Sequence, residues 1–245
     1  MNEVHKQSEV LAGSAHRPAT AADPRRRLMA RVLVSGLLAG LIAGAVGEAI
    51  HGRFDPEAAD PNSPGASSHN ARHAQGQRIE ATLIQGTLGG FLGLGLGLAT
   101  ARPVRRSVAG GTAGLILGLA AGAGSVWWLL PRYLAQGADQ ISRDLFVAAA
   151  FHSAFAVALG TAAGAAFGIG IGGGRQILKA AIGGLIGAVA GACLVQIGGA
   201  CLFPVDQTYS AVPLSLAARL FARLTLAISI ALGAVLLVSP ENDPS

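Results

Sequence analysis

Five ionisable side chains border long uncharged runs of this chain: Glu48, Glu80, His152, Arg219 and Arg223. In a bilayer a charge costs at least about 2.5–3.5 kcal/mol unless it is paired, hydrated or able to snorkel, so each needs a reason. One reason is a polar vestibule for an ion, a proton or a small anion. There Arg219 and Arg223 would attract negative charge, and Glu48 or His152 would handle protons. The other is structural: interfacial snorkelling and an ion pair. Spacing bears on both. Glu48 extends the line Gly36, Gly40, Gly44 by four residues, and His152 lies eight before Gly160. Residues four apart share a helix face, so Glu48 and His152 should face other helices. At least one of Arg219 and Arg223 should then lie within ion-pairing reach of Glu48 or Glu80. Gln85 and Gln196 add polar groups to the second and fifth apolar runs.

Other chemistry finds little support. Gly-x-Gly-x-x-Gly patterns such as that at Gly93 and Gly95 lie inside apolar runs, without the strand–turn–helix setting of a nucleotide loop. No Walker lysine, nucleophile elbow or His-Glu-x-x-His occurs, so no enzyme class and no cofactor is indicated. The basic residues lack interleaved aromatics, which argues against nucleic acid as a partner. His51, His69 and His73 sit in a polar stretch, 51–78, with Asp55, Glu57 and Asp60. His69 and His73 have the spacing of two metal ligands on one helical turn, but no fixed third ligand accompanies them, so a solvated loop is expected and no metal site. Cys193 and Cys201 are eight residues apart on one apolar run, too far to bridge along a helix, and read as structural thiols.

The elements that position these residues follow from the charge map. Only 13% of the 245 residues are charged against 51% hydrophobic, with 35 glycines. That excludes a disordered chain, and six long runs without Asp, Glu, Lys or Arg fit no water-soluble core. About 20 apolar residues cross a bilayer. The runs predict six transmembrane helices at about 29–50, 80–101, 107–130, 145–171, 180–202 and 217–238, an all-α polytopic bundle spanning 25–238 with the bilayer as its solvent. Segments 1–24 and 239–245 read as tails, the first disordered. Arg25–Arg27 before an apolar run also resemble the start of a secretory signal, but a long polar stretch precedes them, so the span reading is retained. Dense basic clusters at 25–31, 102–106 and 175–179 share one side, which puts both termini in the cytoplasm. Arginine outnumbers lysine 16 to 2, pointing to a GC-rich prokaryotic source and an inner membrane. Trp127, Trp128 and Tyr133 close the third span, where interfacial aromatics belong.

Five spans carry glycine at every fourth residue, including Gly40, Gly93, Gly114, Gly164 and Gly187. Such faces let helices approach closely, as a glycine zipper within the bundle or between copies in a homo-oligomer. The sixth span offers only Ser229 and Gly233 and is expected to pack loosely at an edge. Gly86-Thr87 recurs as Gly160-Thr161, and Gly110-Gly111, Gly114, Gly118 as Gly183-Gly184, Gly187, Gly191, which suggests a parallel internal repeat. The leading expectation is an integral membrane protein of structural, assembly or accessory kind without catalytic apparatus. The competing one is a small transporter or channel with its polar site in the outer half of the membrane. Dispersed polar residues would favour the first, and convergence on one cavity the second.

Overall fold

The computed structural model describes residues 24–54, 66–100, 104–135, 145–204, 213 and 215–238. Of the expected tails, 1–23 and 239–245 lie outside the described residues, and Pro24 opens the first helix. Six helices follow one another: α1 (Pro24–Ile50), α2 (Ala66–Leu98), α3 (Val104–Leu134), α4 (Leu145–Ile171), α5 (Gly174–Leu202) and α6 (Leu216–Leu236). Each is long and apolar enough to cross a membrane, and no strand occurs among the described residues. A helix meets its backbone hydrogen bonds internally, as the hydrocarbon core requires. Consecutive helices pack together, α1 closes against α6, and α2, α4 and α6 also touch one another inside the ring.

Large apolar side chains divide by face. Leu88, Leu92, Leu96, Leu159, Phe167 and Ile230 are fully buried, whereas Leu38, Ile116, Ile186 and Ile197 are exposed, Ile116 by 67%. An apolar exterior of this extent suits lipid and would be a liability in water. The chain is a multi-pass membrane protein.

The glycine faces meet neighbouring backbone. A Cβ at Gly93 would overlap the Gly114 carbonyl, and one at Gly118 the Gly89 carbonyl, so α2 and α3 touch main chain to main chain. Gly160 and Gly184 oppose each other across α4 and α5, and Gly164 faces the Ala180 carbonyl. Gly187 faces the Ser229 carbonyl, and Gly40 faces Leu224 and the Arg223 backbone on α6. The expected repeat does not survive this register. It would place Gly86 opposite Gly111, as Gly160 is opposite Gly184, yet Gly86 faces Ala123 and Gly111 faces Leu98. Matching glycine strings at the wrong register is easy where small residues are so frequent.

Two further expectations are corrected. The stretch 51–78 is not all loop, because α2 begins at Ala66. Its polar residues there are helix-compatible, and Pro64 and Gly65 are the last breakers before it. At about 1.5 Å per residue this helix is some 50 Å long and outreaches a core of about 30 Å. The sixth helix is also no loose edge. It packs on α1 and α5 and reaches α4 and α2, with Ala227, Ile230, Ala231 and Ala234 wholly buried. Alanine supplies the small contact surface there, where glycine spacing gives no sign of it.

The connections explain the remaining local sequence. The α4–α5 turn runs through Gly172 and Gly173, both near φ +90°, where a side chain would be strained. Across the α2–α3 turn, the Ser107 hydroxyl donates to the Thr100 carbonyl at 3.0 Å, and the two hydroxyls lie 3.0 Å apart. Ser215 caps α6, its hydroxyl accepting from the Ala218 N–H at 3.2 Å. Pro131, inside α3, has no N–H for the Trp127 carbonyl one turn back. Arg78 donates to that carbonyl at 2.6 Å and lies 3.6 Å above the Trp127 ring.

Candidate functional site

The polar residues stand at the ends of inward-facing lines. On α2, Glu80, Ile84, Leu88, Leu92 and Leu96 step by four, and all are buried. On α6, Arg219, Arg223, Ala227 and Ala231 do the same. On α1 the line Gly36, Gly40, Gly44 runs along α6 past Ala231, Leu224 and Leu220. Its next step, Glu48, meets Arg219. Helix periodicity thus delivers these charges to one end of the bundle, opposite the α2–α3 and α4–α5 turns.

There they form a chain of contacts. Glu48 accepts two hydrogen bonds from Arg219, from Nε to Oε1 at 2.7 Å and from Nη2 to Oε2 at 2.6 Å. This two-pronged geometry is the strongest pairing of guanidinium with carboxylate. Arg219 Nη1 donates to the Pro213 carbonyl and to His51 Nε2, each at 3.1 Å. His51 Nδ1 lies 2.7 Å from Glu80 Oε1. Arg223 Nη1 donates to the Gly44 carbonyl at 3.3 Å and lies 3.5 Å from Glu48 Oε1. Its guanidinium lies against Gly47, where a Cβ would displace it. Glu80 and Arg219 are each 5% exposed and Arg223 7%. Charges this deep are held only by partners, and here opposite signs alternate along the chain.

Beside this network lies a cavity of about 80 Å³ between α2, α4, α5 and α6. Arg219, Arg223, Gln85 and His152 line it, with apolar walls that include Ile84, Leu88, Phe155 and Leu226. His152 stands edge-on to Phe155, ring centroids 6.5 Å apart. Gln85 Oε1 is buried with no donor among the described residues. Gln196, 2% exposed, has neither side-chain polar atom hydrogen-bonded among them, and it lies one turn beyond Ala192, which lines the cavity. Buried amides normally find partners, so these mark unused polar capacity at this end.

The structure links Arg219 to Glu80 through His51, joins both arginines to Glu48, and sets His152 in the lining of the same cavity as these arginines. His51, in the turn after α1 and with a side chain 39% exposed, therefore joins this network while staying open to solvent. Its signal in the sequence is its position three residues past Glu48, which puts it on the same face. His73 is engaged locally, with Nε2 3.1 Å from Gln77 Nε2, and the side chain of His69 lies outside the described residues. No group of three or more His, Cys, Asp or Glu that could hold a metal occurs among the described residues. Cys193 and Cys201 are free and exposed. The site belongs to a six-helix membrane bundle with a charged, partly apolar cavity near one end. The chain matches no family model, no curated protein and no solved structure.

Proposed function

We propose that this protein binds a small anion in the cavity between α2, α4, α5 and α6 and carries it through or into the membrane, as a small transporter or channel. The supporting observation is that Arg219, Arg223, Gln85 and His152 converge on one cavity. Arg219 is largely occupied by Glu48, His51 and Pro213. Arg223 makes one hydrogen bond among the described residues, from Nη1 to Gly44, leaving other donors of its fork for a ligand. The apolar walls favour a solute with a short hydrocarbon body, such as a small carboxylate. No covalent chemistry is assigned. In proteoliposomes the protein should admit butyrate, and Arg223→Gln should slow entry at least about tenfold while the protein stays folded. Equal entry with the variant, or none with wild type, would defeat the reading.

The two-pronged Glu48–Arg219 pair supports a second reading, a structural or accessory bundle in which these charges only fasten α1 to α6. On that reading Arg223→Gln changes stability and no flux exists to change. In either case the glycine faces serve to close the bundle, and a homo-oligomer would use the exposed apolar faces.

The proposed orientation, in a prokaryotic inner membrane, puts the α2–α3 turn in the cytoplasm and the network in the outer half. Ser107 at that turn is buried and hydrogen-bonded, so Val104, 79% exposed, is the better reporter. With Cys193 and Cys201 replaced by serine, an impermeant maleimide on intact cells should label Arg53→Cys and spare Val104→Cys. The reverse pattern would invert the orientation.

A further inference from the structure

The two contacts of His51 fix its protonation state by donor counting. Arg219 Nη1 can only donate, so His51 Nε2, 3.1 Å away, must present its lone pair. The proton then sits on Nδ1, which donates to Glu80 Oε1 at 2.7 Å. This is the neutral imidazole, in one tautomer. A second proton, on Nε2, would set an N–H against the Arg219 N–H and expel that contact. At the same time the new imidazolium would pair with Glu80, a buried carboxylate whose one hydrogen bond among the described residues comes from His51. The imidazole is therefore held between a group that favours the added proton and one that opposes it.

The other charges around His51 complete the balance. From α2 comes Glu80, with Arg72 and His73 exposed further out along the same helix. From α6 come Arg219 and, behind it, Arg223. On α1 itself Glu48 is tied to Arg219, and Arg53 is exposed just beyond. With His51 neutral, Glu48 and Glu80 cancel Arg219 and Arg223. One added proton leaves the network with a single positive charge and frees an Arg219 N–H, and Arg219 lines the cavity.

We propose that His51, held between Glu80 and Arg219, is a proton site coupled to the cavity, so that anion and proton bind together. This rests on the anion-binding reading and names its co-ligand. It also moves proton handling from Glu48 or His152, as expected from sequence, to His51. Linkage requires the coupling to be mutual: a proton that tightens anion binding must itself be held more tightly when the anion is present.

The test uses the full chain in lipid nanodiscs with butyrate as the probe, at about pH 6 and about pH 8, which bracket the usual range of imidazole. Histidine ¹⁵N spectra at the higher pH should show the Nδ1–H tautomer for His51. Wild type should bind butyrate about tenfold or more tightly at the lower pH. His51→Gln is the informative variant, because its amide N–H can donate to Glu80 and its oxygen accept from Arg219, with nothing to titrate. It should fold, bind butyrate, and bind it equally at both pH values. An Nε2–H tautomer, or an undiminished pH effect in His51→Gln, would overturn the proton site. Equal wild-type affinity at the two pH values would overturn the coupling alone. No butyrate binding at either pH would overturn the anion reading and the coupling with it.

Discussion

Replacing Gly114 with alanine is expected to lower the stability of the bundle by about 1–3 kcal/mol, and replacing it with leucine by more. The reason is backbone, not side chain. A Cβ on Gly114 would overlap the Gly93 carbonyl on α2 and press on Ala166 of α4. Main chain cannot swing away as a side chain can, so the helices must separate. Separation removes dispersion contact that, without a hydrophobic effect between helices in lipid, is a main source of their association. Gly164→Ala should behave alike, because its Cβ would overlap the Ala180 carbonyl. Gly124 is the control: a Cβ there would have nothing within 4 Å, and alanine should be neutral or gain up to about 1 kcal/mol from helix propensity. Thermal melting in detergent reads all three. If Gly114→Ala and Gly124→Ala melt together, the close contact between α2 and α3 is wrong.

Glu48→Ala should be as damaging through electrostatics. It strands Arg219 and Arg223, which are 5% and 7% exposed, without the carboxylate both lean on. Breaking one partner of a buried pair typically costs about 3–5 kcal/mol. The Glu48 side chain keeps 30% exposure, so solvent can partly rescue the arginines and the low end applies. Glu48→Gln should fall between, keeping an acceptor for Arg219 but not the charge. The pair Glu48→Ala with Arg219→Met should recover part of the loss, because one of the two isolated charges is removed while Arg223 stays without its carboxylate. If the double variant is as unstable as the sum of the singles, the pair is not the cause.

Much of this arrangement is legible in the sequence because helix periodicity is strict over long apolar runs. The step of four that carries Gly36 to Gly44 also carries Glu48 onto the face that meets α6, although the line does not say which arginine it meets. What the sequence hides has local causes. His51 follows the end of α1, where charge and hydropathy stop marking the helix although its face continues. Ala66–Arg78 is polar helix, invisible to a search for apolar runs. The inward face of α6 uses alanine between its arginines, so counting glycines underrates it. The repeat fails because pattern without register cannot say which residues meet. The cavity has no sequence signal at all, since it depends on how side chains of four helices fit together at one end.

The central claim is that Arg223 receives an anion in this cavity, and a structure solved with 4-bromobutyrate tests it most directly. The carboxylate should lie within about 3 Å of the Arg223 guanidinium, the distance of a charge-assisted hydrogen bond. The bromine should give its anomalous peak against Leu88, Phe155 and Leu226, the apolar wall of the cavity. A bromine peak only on the lipid-facing surface, or a cavity unchanged at saturating ligand, would contradict it.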